Sequence, residues 1–181
     1  AQLKAVELDY SADNLSFLGI LYSQMMKEWD KGLEIAEKAI TLNPHSANAL
    51  NNLGLINYWS GRCREAIPLI KKAIRVSPRP SANILFCGAQ AYFDCQLYDE
   101  CIALAQKAVE ISPDSFPAHR TLTVCYAITD SLEEAKASAT EILRIRPNYK
   151  AIDNSNKYPE NKREAMKRWH EAEIMAGLPT E

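Results

Sequence analysis

Glycine is scarce in this chain, with six in 181 residues. A loop that cradles phosphate needs glycines clustered ahead of a helix, and these six are scattered. Histidine is scarcer still. His45, His119 and His170 stand far apart, in no HExxH arrangement and in no recognisable pairing with a cysteine nucleophile. They are read as structural. Long apolar runs are missing, since none approaches the ~18 residues that a membrane helix requires. An excess of one charge is missing too. Lys and Arg number 21 against 23 Asp and Glu, for a net charge of −2. The two signs are mixed along the chain, which excludes the basic footprint of a nucleic-acid binder. No charged-then-apolar leader stands at Ala1. The cysteines are Cys63, Cys87, Cys95, Cys101 and Cys125. Their number is odd, no CxxC pair occurs and no histidine lies at zinc-site spacing, so metal and disulfide frameworks are poor readings. The expectation is five reduced thiols in a cytoplasmic chain, with an extracytoplasmic place open if a membrane helix precedes it in a longer protein. No metal site and no cofactor are expected.

What the chain has instead is a period. Pro44, Pro78, Pro113 and Pro147 are 34, 35 and 34 residues apart, and Tyr10 lies in the same phase. Five residues before each mark come Ala5, Ala39, Ala73, Ala108 and Ile142, and four before come Val6, Ile40, Ile74, Val109 and Leu143. Gly32, Ala66, Cys101 and Ala135 share an earlier phase, and all are small. A fixed period of this size marks stacked repeats. Each unit holds two apolar-periodic stretches that read as amphipathic helices. The small residue lets the second helix approach the first closely. The proline ends the pattern because it lacks an N–H and disfavours a helical residue before it. Asp99-Glu100 and Glu133-Glu134 fall at the starts of second helices, where the helix dipole favours them; they are read as stabilising and not catalytic.

The pattern resembles the tetratricopeptide repeat. The second unit carries it most fully, with Leu53-Gly54, Gly61, Glu65-Ala66-Ile67, Ala73-Ile74 and Pro78. Leu18-Gly19 and Tyr22, then Tyr92, Tyr98 and Ala108, then Leu122, Tyr126, Leu132, Glu134-Ala135 and Pro147 carry it in the others. The resemblance implies an all-α, right-handed superhelical solenoid of roughly ten helices. The expected division is the tail of an upstream, truncated repeat over 1–12, repeats over 13–46, 47–80, 81–115 and 116–149, and a C-terminal capping segment over 150–181. The opening residues Ala5, Val6 and Leu8 match the close of a second helix, so the chain is read as a piece of a longer array. Their helix is expected to pack near Leu15, Leu18 and Tyr22. A short helix is expected over Tyr149 to Ser155. A last helix should start near Pro159 and stop at Gly177, with Lys162, Arg163, Lys167 and Arg168 forming a basic face.

The resemblance also implies a function: a protein-interaction scaffold with a peptide-binding groove lined by the first helices. Carried over by phase, the groove residues are Asn48, Asn51, Leu55, Tyr58 and Trp59 in the second repeat. The third supplies Asn83, Phe86, Gln90, Phe93 and Asp94, and the fourth Arg120 and Val124 among others. In the first repeat, Asp13, Ser16, Ile20, Ser23 and Gln24 take these phases. The amides can donate to and accept from a peptide backbone, and the aromatics are interface anchors. Of the lysine, asparagine and arginine set with which chaperone-binding members grip a C-terminal carboxylate, only Asn52 has a counterpart. Ser16, Asn83 and Cys87 stand at the expected basic positions. A second resemblance, carried by Ala176-Gly177-Leu178-Pro179 and the charged helix before it, is to the C-terminal region of bacterial class III adenylate/guanylate cyclase-like proteins. It implies a regulatory tail of a nucleotide cyclase-like enzyme whose catalytic domain lies upstream. A third reading is homo-oligomerisation through the N-terminal helix. The partner is a protein or peptide in each case. No catalytic constellation is read in this region, and neither nucleic acid nor membrane insertion is expected.

Overall fold

The computed structural model describes residues 11–180. Among the described residues there are nine α-helices, one short 3-10 turn and no strand. The calls on Ala5, Val6 and Leu8, and on self-association through their helix, lie outside the described residues. The helices are α1 (Ala12–Met25), α2 (Trp29–Leu42), α3 (Ala47–Trp59), α4 (Cys63–Val76), α5 (Ala82–Asp94), α6 (Tyr98–Ile111), α7 (Phe116–Ile128), α8 (Leu132–Ile145) and α9 (Glu160–Met175). Residues 149–154 form no helix, against expectation. The 3-10 turn follows at Ser155–Lys157. The chain divides into two compact units, residues 1–80 and 81–181.

Similar local chemistry recurs at the ends of the first helices. Ser11, Ser46 and Ser81 are N-caps whose hydroxyls accept from Asn14 N, Ala49 N and Ile84 N. Such a cap satisfies one of the four backbone donors that a helix start leaves open. Ser115 holds the same place before α7, where Pro117 removes one of those donors. At the other end of α3, α5 and α7 the chain turns through a left-handed residue, Gly61, Gln96 or Asp130. The next amide reaches back to a carbonyl five residues earlier: Arg62 to Asn57, Leu97 to Tyr92, Ser131 to Tyr126. This is the Schellman closure.

In the first unit α1 packs on α2, α2 on α3, α1 on α3, and α3 on α4. Leu33, Ala36, Leu53 and Ile56 form one buried cluster, with Ile20, Ile40 and Leu69 against it. Ala12, Ala39 and Ala49 form a second, flanked by Leu15 and Ile40. The crossing of α1 and α2 is close. A Cβ on Gly19 would lie 2.7 Å from the Gly32 carbonyl oxygen, and one on Gly32 would lie 1.9 Å from Ser23 Oγ.

In the second unit α5 packs on α6, α6 on α7, α7 on α8, and α5 on α7. Ala105, Ala108, Ala118 and Ala135 are fully buried along these contacts. Cys101 on α6 and Cys125 on α7 form a disulfide, with Cα atoms 6.6 Å apart. The expectation of five reduced thiols is therefore corrected, and with it the cysteine argument for a reducing compartment. The two residues occupy packing phases of neighbouring helices, and contact distance there is also disulfide distance. Cys87 is a buried thiol.

α9 departs from a simple end cap. Its principal helix contact is α7, a first helix. It ends at Ala176, with Gly177 left-handed at φ 82° and Leu178 N donating to the Glu173 carbonyl. The expected basic face is broken. Lys162 is wholly buried and Arg168 half-buried, while Arg163 and Lys167 are exposed.

Candidate protein-interaction site

The first-helix face of the first unit is laced by polar contacts between α1 and α3. Asp13, exposed in the first turn of α1, accepts from Ser46 Oγ at 2.5 Å and from Asn48 Nδ2 at 2.9 Å. Ser16 Oγ donates to the Asp13 carbonyl at 2.8 Å and accepts from Asn52 Nδ2 at 3.0 Å. Asn48 and Asp13 stay exposed and Ser16 is buried. The groove residues Asn48, Ser16 and Asp13 thus meet one another and fix the register of the two helices.

Other expected groove residues of α3 are interior. Asn51 is 2% exposed, and its Oδ1 has no partner among the described residues. That corrects the expectation of an amide free to meet a ligand. Leu55 and Tyr58 are also buried, and Trp59 is half-buried. The reason lies in the helix as a whole: α3 is buried almost continuously from Ala49 to Tyr58. Phases that would face solvent on a peripheral helix are packed on this one.

In the second unit Asn83 is exposed at the start of α5, and Phe86 and Gln90 are half-buried. Phe93 and Val124 are fully buried. Phe93, Asp94 and Arg120 are brought together by a segment that the groove reading did not include. Trp169 of α9 meets Phe93 edge-on, with ring centroids 4.9 Å apart. Lys162 Nζ donates to Asp94 Oδ2 in an ion pair buried on both sides. Arg168 Nη2 donates to the Asp94 carbonyl at 3.3 Å. Arg120 Nε donates to Glu173 Oε1 at 2.5 Å, and Tyr149 Oη donates to the same oxygen at 2.6 Å. The Arg120 guanidinium also lies 5.2 Å from the centre of the Trp169 ring. The chain's own last helix therefore sits on the first-helix face of α5 and α7.

Burial sets the electrostatics of this contact. It pushes the Asp94 carboxyl up, against the opposing pull of Lys162 and Arg168. It pushes Lys162 down to about 8, although Asp94 favours the charged form. It raises the Tyr149 and Tyr158 hydroxyls as well, so Tyr149 stays a protonated donor to Glu173. Among the described residues no group of His, Cys, Asp and Glu could hold a metal ion. Nor is any helix there long and apolar enough to cross a membrane.

The tetratricopeptide repeat profile matches residues 46–77 and again residues 89–115. The chain carries tetratricopeptide repeats. It is 26% identical over 112 residues to anaphase-promoting complex subunit 7 of Dictyostelium discoideum, which covers 62% of this chain and 19% of that protein. The chain thus spans about a fifth of the length of that relative. Among solved structures it is similar to the Cut9–Hcn1 hetero-tetramer of the APC/C. The TM-score is 0.73 at 18% identity, over 92% of this chain and 32% of that one. It is also similar to a thermophilic TPR protein of Thermus thermophilus. Here the TM-score is 0.68 at 19% identity, over 92% and 84% of the two chains. The fold is the all-α tetratricopeptide solenoid, a class that generally serves as a scaffold for protein–protein interaction.

Proposed function

We propose that this region is a non-catalytic protein-interaction module whose first-helix faces receive a peptide, best in helical form. One observation carries the reading: α9 lies on the α5–α7 face through Phe93–Trp169, Asp94–Lys162 and Arg120–Glu173. That face has the apolar and charged groups to hold a helix, because it holds one. In the second unit an outside ligand would have to displace α9. In the first unit the exposed Asp13 and Asn48 are the contacts offered, and Asn83 is the corresponding exposed amide on α5. The repeats over 13–46, 47–80, 81–115 and 116–149 are the units of this module. The reading as a tail of a cyclase-like enzyme rests on the terminal sequence resemblance alone. Self-association rests on residues before Tyr10. Neither gains support from the described residues.

The test is selection of helical peptides from a displayed library against the intact chain, followed by a hydrogen-exchange footprint of the bound peptide. Slowed exchange on α1 and α3, or on α5 and α7 with release of α9, is expected. A footprint confined to α2, α4, α6 and α8 would put the binding surface on the second helices and sink the proposal.

A further inference from the structure

After α8 the chain runs irregularly from Arg146 to Asn154 and borders an open cavity of about 630 Å³, completed by Arg120 of α7. That volume lies in the range of ligand pockets. The wall is not a slack loop. Tyr149 N donates to the Arg146 carbonyl at 3.0 Å, and Ala151 N to the Pro179 carbonyl at 2.7 Å. Ala151 is buried, and the Tyr149 ring meets Phe116 edge-on at 5.0 Å. These contacts tie the wall to α7 and to Pro179.

Its chemistry is one-sided. Arg120, Arg146 and Lys150 line it, with the amides of Asn148 and Asn154, and no carboxylate belongs to the lining. The nearby acids are committed elsewhere. Glu173 accepts from Arg120 and Tyr149, Asp153 accepts from Ser155 N, and Asp114 pairs with Arg144. Among the described residues no carboxylate stands within ion-pair distance of Arg146 or Lys150, and both side chains are exposed. Arg146 is also oriented: its guanidinium lies 3.8 Å from the centre of the Phe116 ring. A cation over a ring face is held in place without using its N–H groups in an ion pair, and those N–H groups match the two oxygens of a carboxylate.

We propose that this cavity is a docking site for an acidic peptide segment of a partner protein, with carboxylates held by Arg146 and Lys150 and the peptide backbone by Asn148 and Asn154. The choice of peptide over nucleic acid follows from the whole chain. A nucleic-acid backbone needs an extended basic stripe, and here charges of both signs are mixed, 21 Lys and Arg against 23 Asp and Glu, while a short acidic segment needs only the local cations. The site shares Arg120 and Tyr149 with the α9 contact, but the proposal rests on Arg146 and Lys150, which that contact does not use, so its failure would leave the helix-receiving reading standing.

A fluorescein-labelled octaglutamate peptide, titrated with the intact chain and followed by anisotropy, tests the proposal. Binding should weaken between about 50 mM and about 300 mM salt. Arg146→Glu with Lys150→Glu should lower affinity by about tenfold or more. Lys150→Glu alone, which disturbs no ring contact, should lower it measurably. Lys71→Glu with Lys72→Glu makes the same change of net charge on α4 and should lower affinity by less than about threefold. Circular dichroism checks that each variant keeps its helices. No binding by the wild-type chain, or an equal loss in the two double variants, overturns the proposal. So does tighter binding of a labelled oligothymidylate that competes for the same cations.

Discussion

Gly32 faces Gly19 across the first helix pair, and the gap between them leaves no room for a side chain. A Cβ at residue 32 would stand 1.9 Å from Ser23 Oγ and 2.7 Å from the Gly19 carbonyl oxygen. The serine could turn away, but the carbonyl is backbone. Helix propensity alone predicts that Gly32→Ala stabilises by roughly 1 kcal/mol. Packing predicts the opposite sign, and Gly32→Val should cost about 1–3 kcal/mol or more. Urea denaturation decides. If Gly32→Ala unfolds at higher urea than the wild type, the close approach is not a constraint. The phase of Gly32 was legible because small residues recur there in every repeat. Asn51 was not legible in the same way. Amides avoid dry interiors as a rule, so the sequence argued for the surface. The structure buries Asn51 with one oxygen unpartnered, because α3 is enclosed on nearly every side.

At the scale of an element, α9 was legible in its limits and misread in its face. Proline before it and Gly177 after it mark the ends. Its charges suggested one basic face of a capping helix, yet Lys162 falls among the buried residues with Ala165, Met166, Trp169, Ala172 and Glu173. Their spacing is that of one helical stripe. The alanines and the tryptophan carried the signal, and a lysine and a glutamate in the same stripe hid it. Both charges are interior only because Asp94 and Arg120 wait on the opposing helices, and pairing between distant segments cannot be read from one of them. Burial of such a pair is costly, and removing one partner strands the other. Lys162→Met should therefore cost about 3–5 kcal/mol of stability. Adding Asp94→Leu should recover most of that loss, since an apolar pair needs no solvation. Urea midpoints of the two variants are the measurement. If the double variant is no more stable than Lys162→Met, the two side chains do not depend on each other.

At the scale of the molecule, the proline period and the helix pairs describe the fold well, since within each unit α1 to α8 pack mainly on their neighbours in sequence. The covalent link between α6 and α7 did not follow from the same reading. An odd cysteine count without CxxC spacing argued for thiols, but stacked repeats bring together residues that no local motif relates. Cys101 lies early in α6 and Cys125 late in α7, 24 residues apart in sequence, and antiparallel packing of the two helices sets them side by side. Closing a loop of that length restricts the unfolded chain, worth roughly 3 kcal/mol in the loop-entropy account. The oxidised protein, digested without reductant, should yield the Cys101 and Cys125 peptides as one species that reductant separates. Cys101→Ala should lower the stability of the oxidised protein by about 3 kcal/mol in urea, less whatever strain the bridge imposes. Recovery of the two peptides as separate thiols from protein that has never met reductant would show that packing alone brings these cysteines together, and the compartment argument would turn back toward a reducing one.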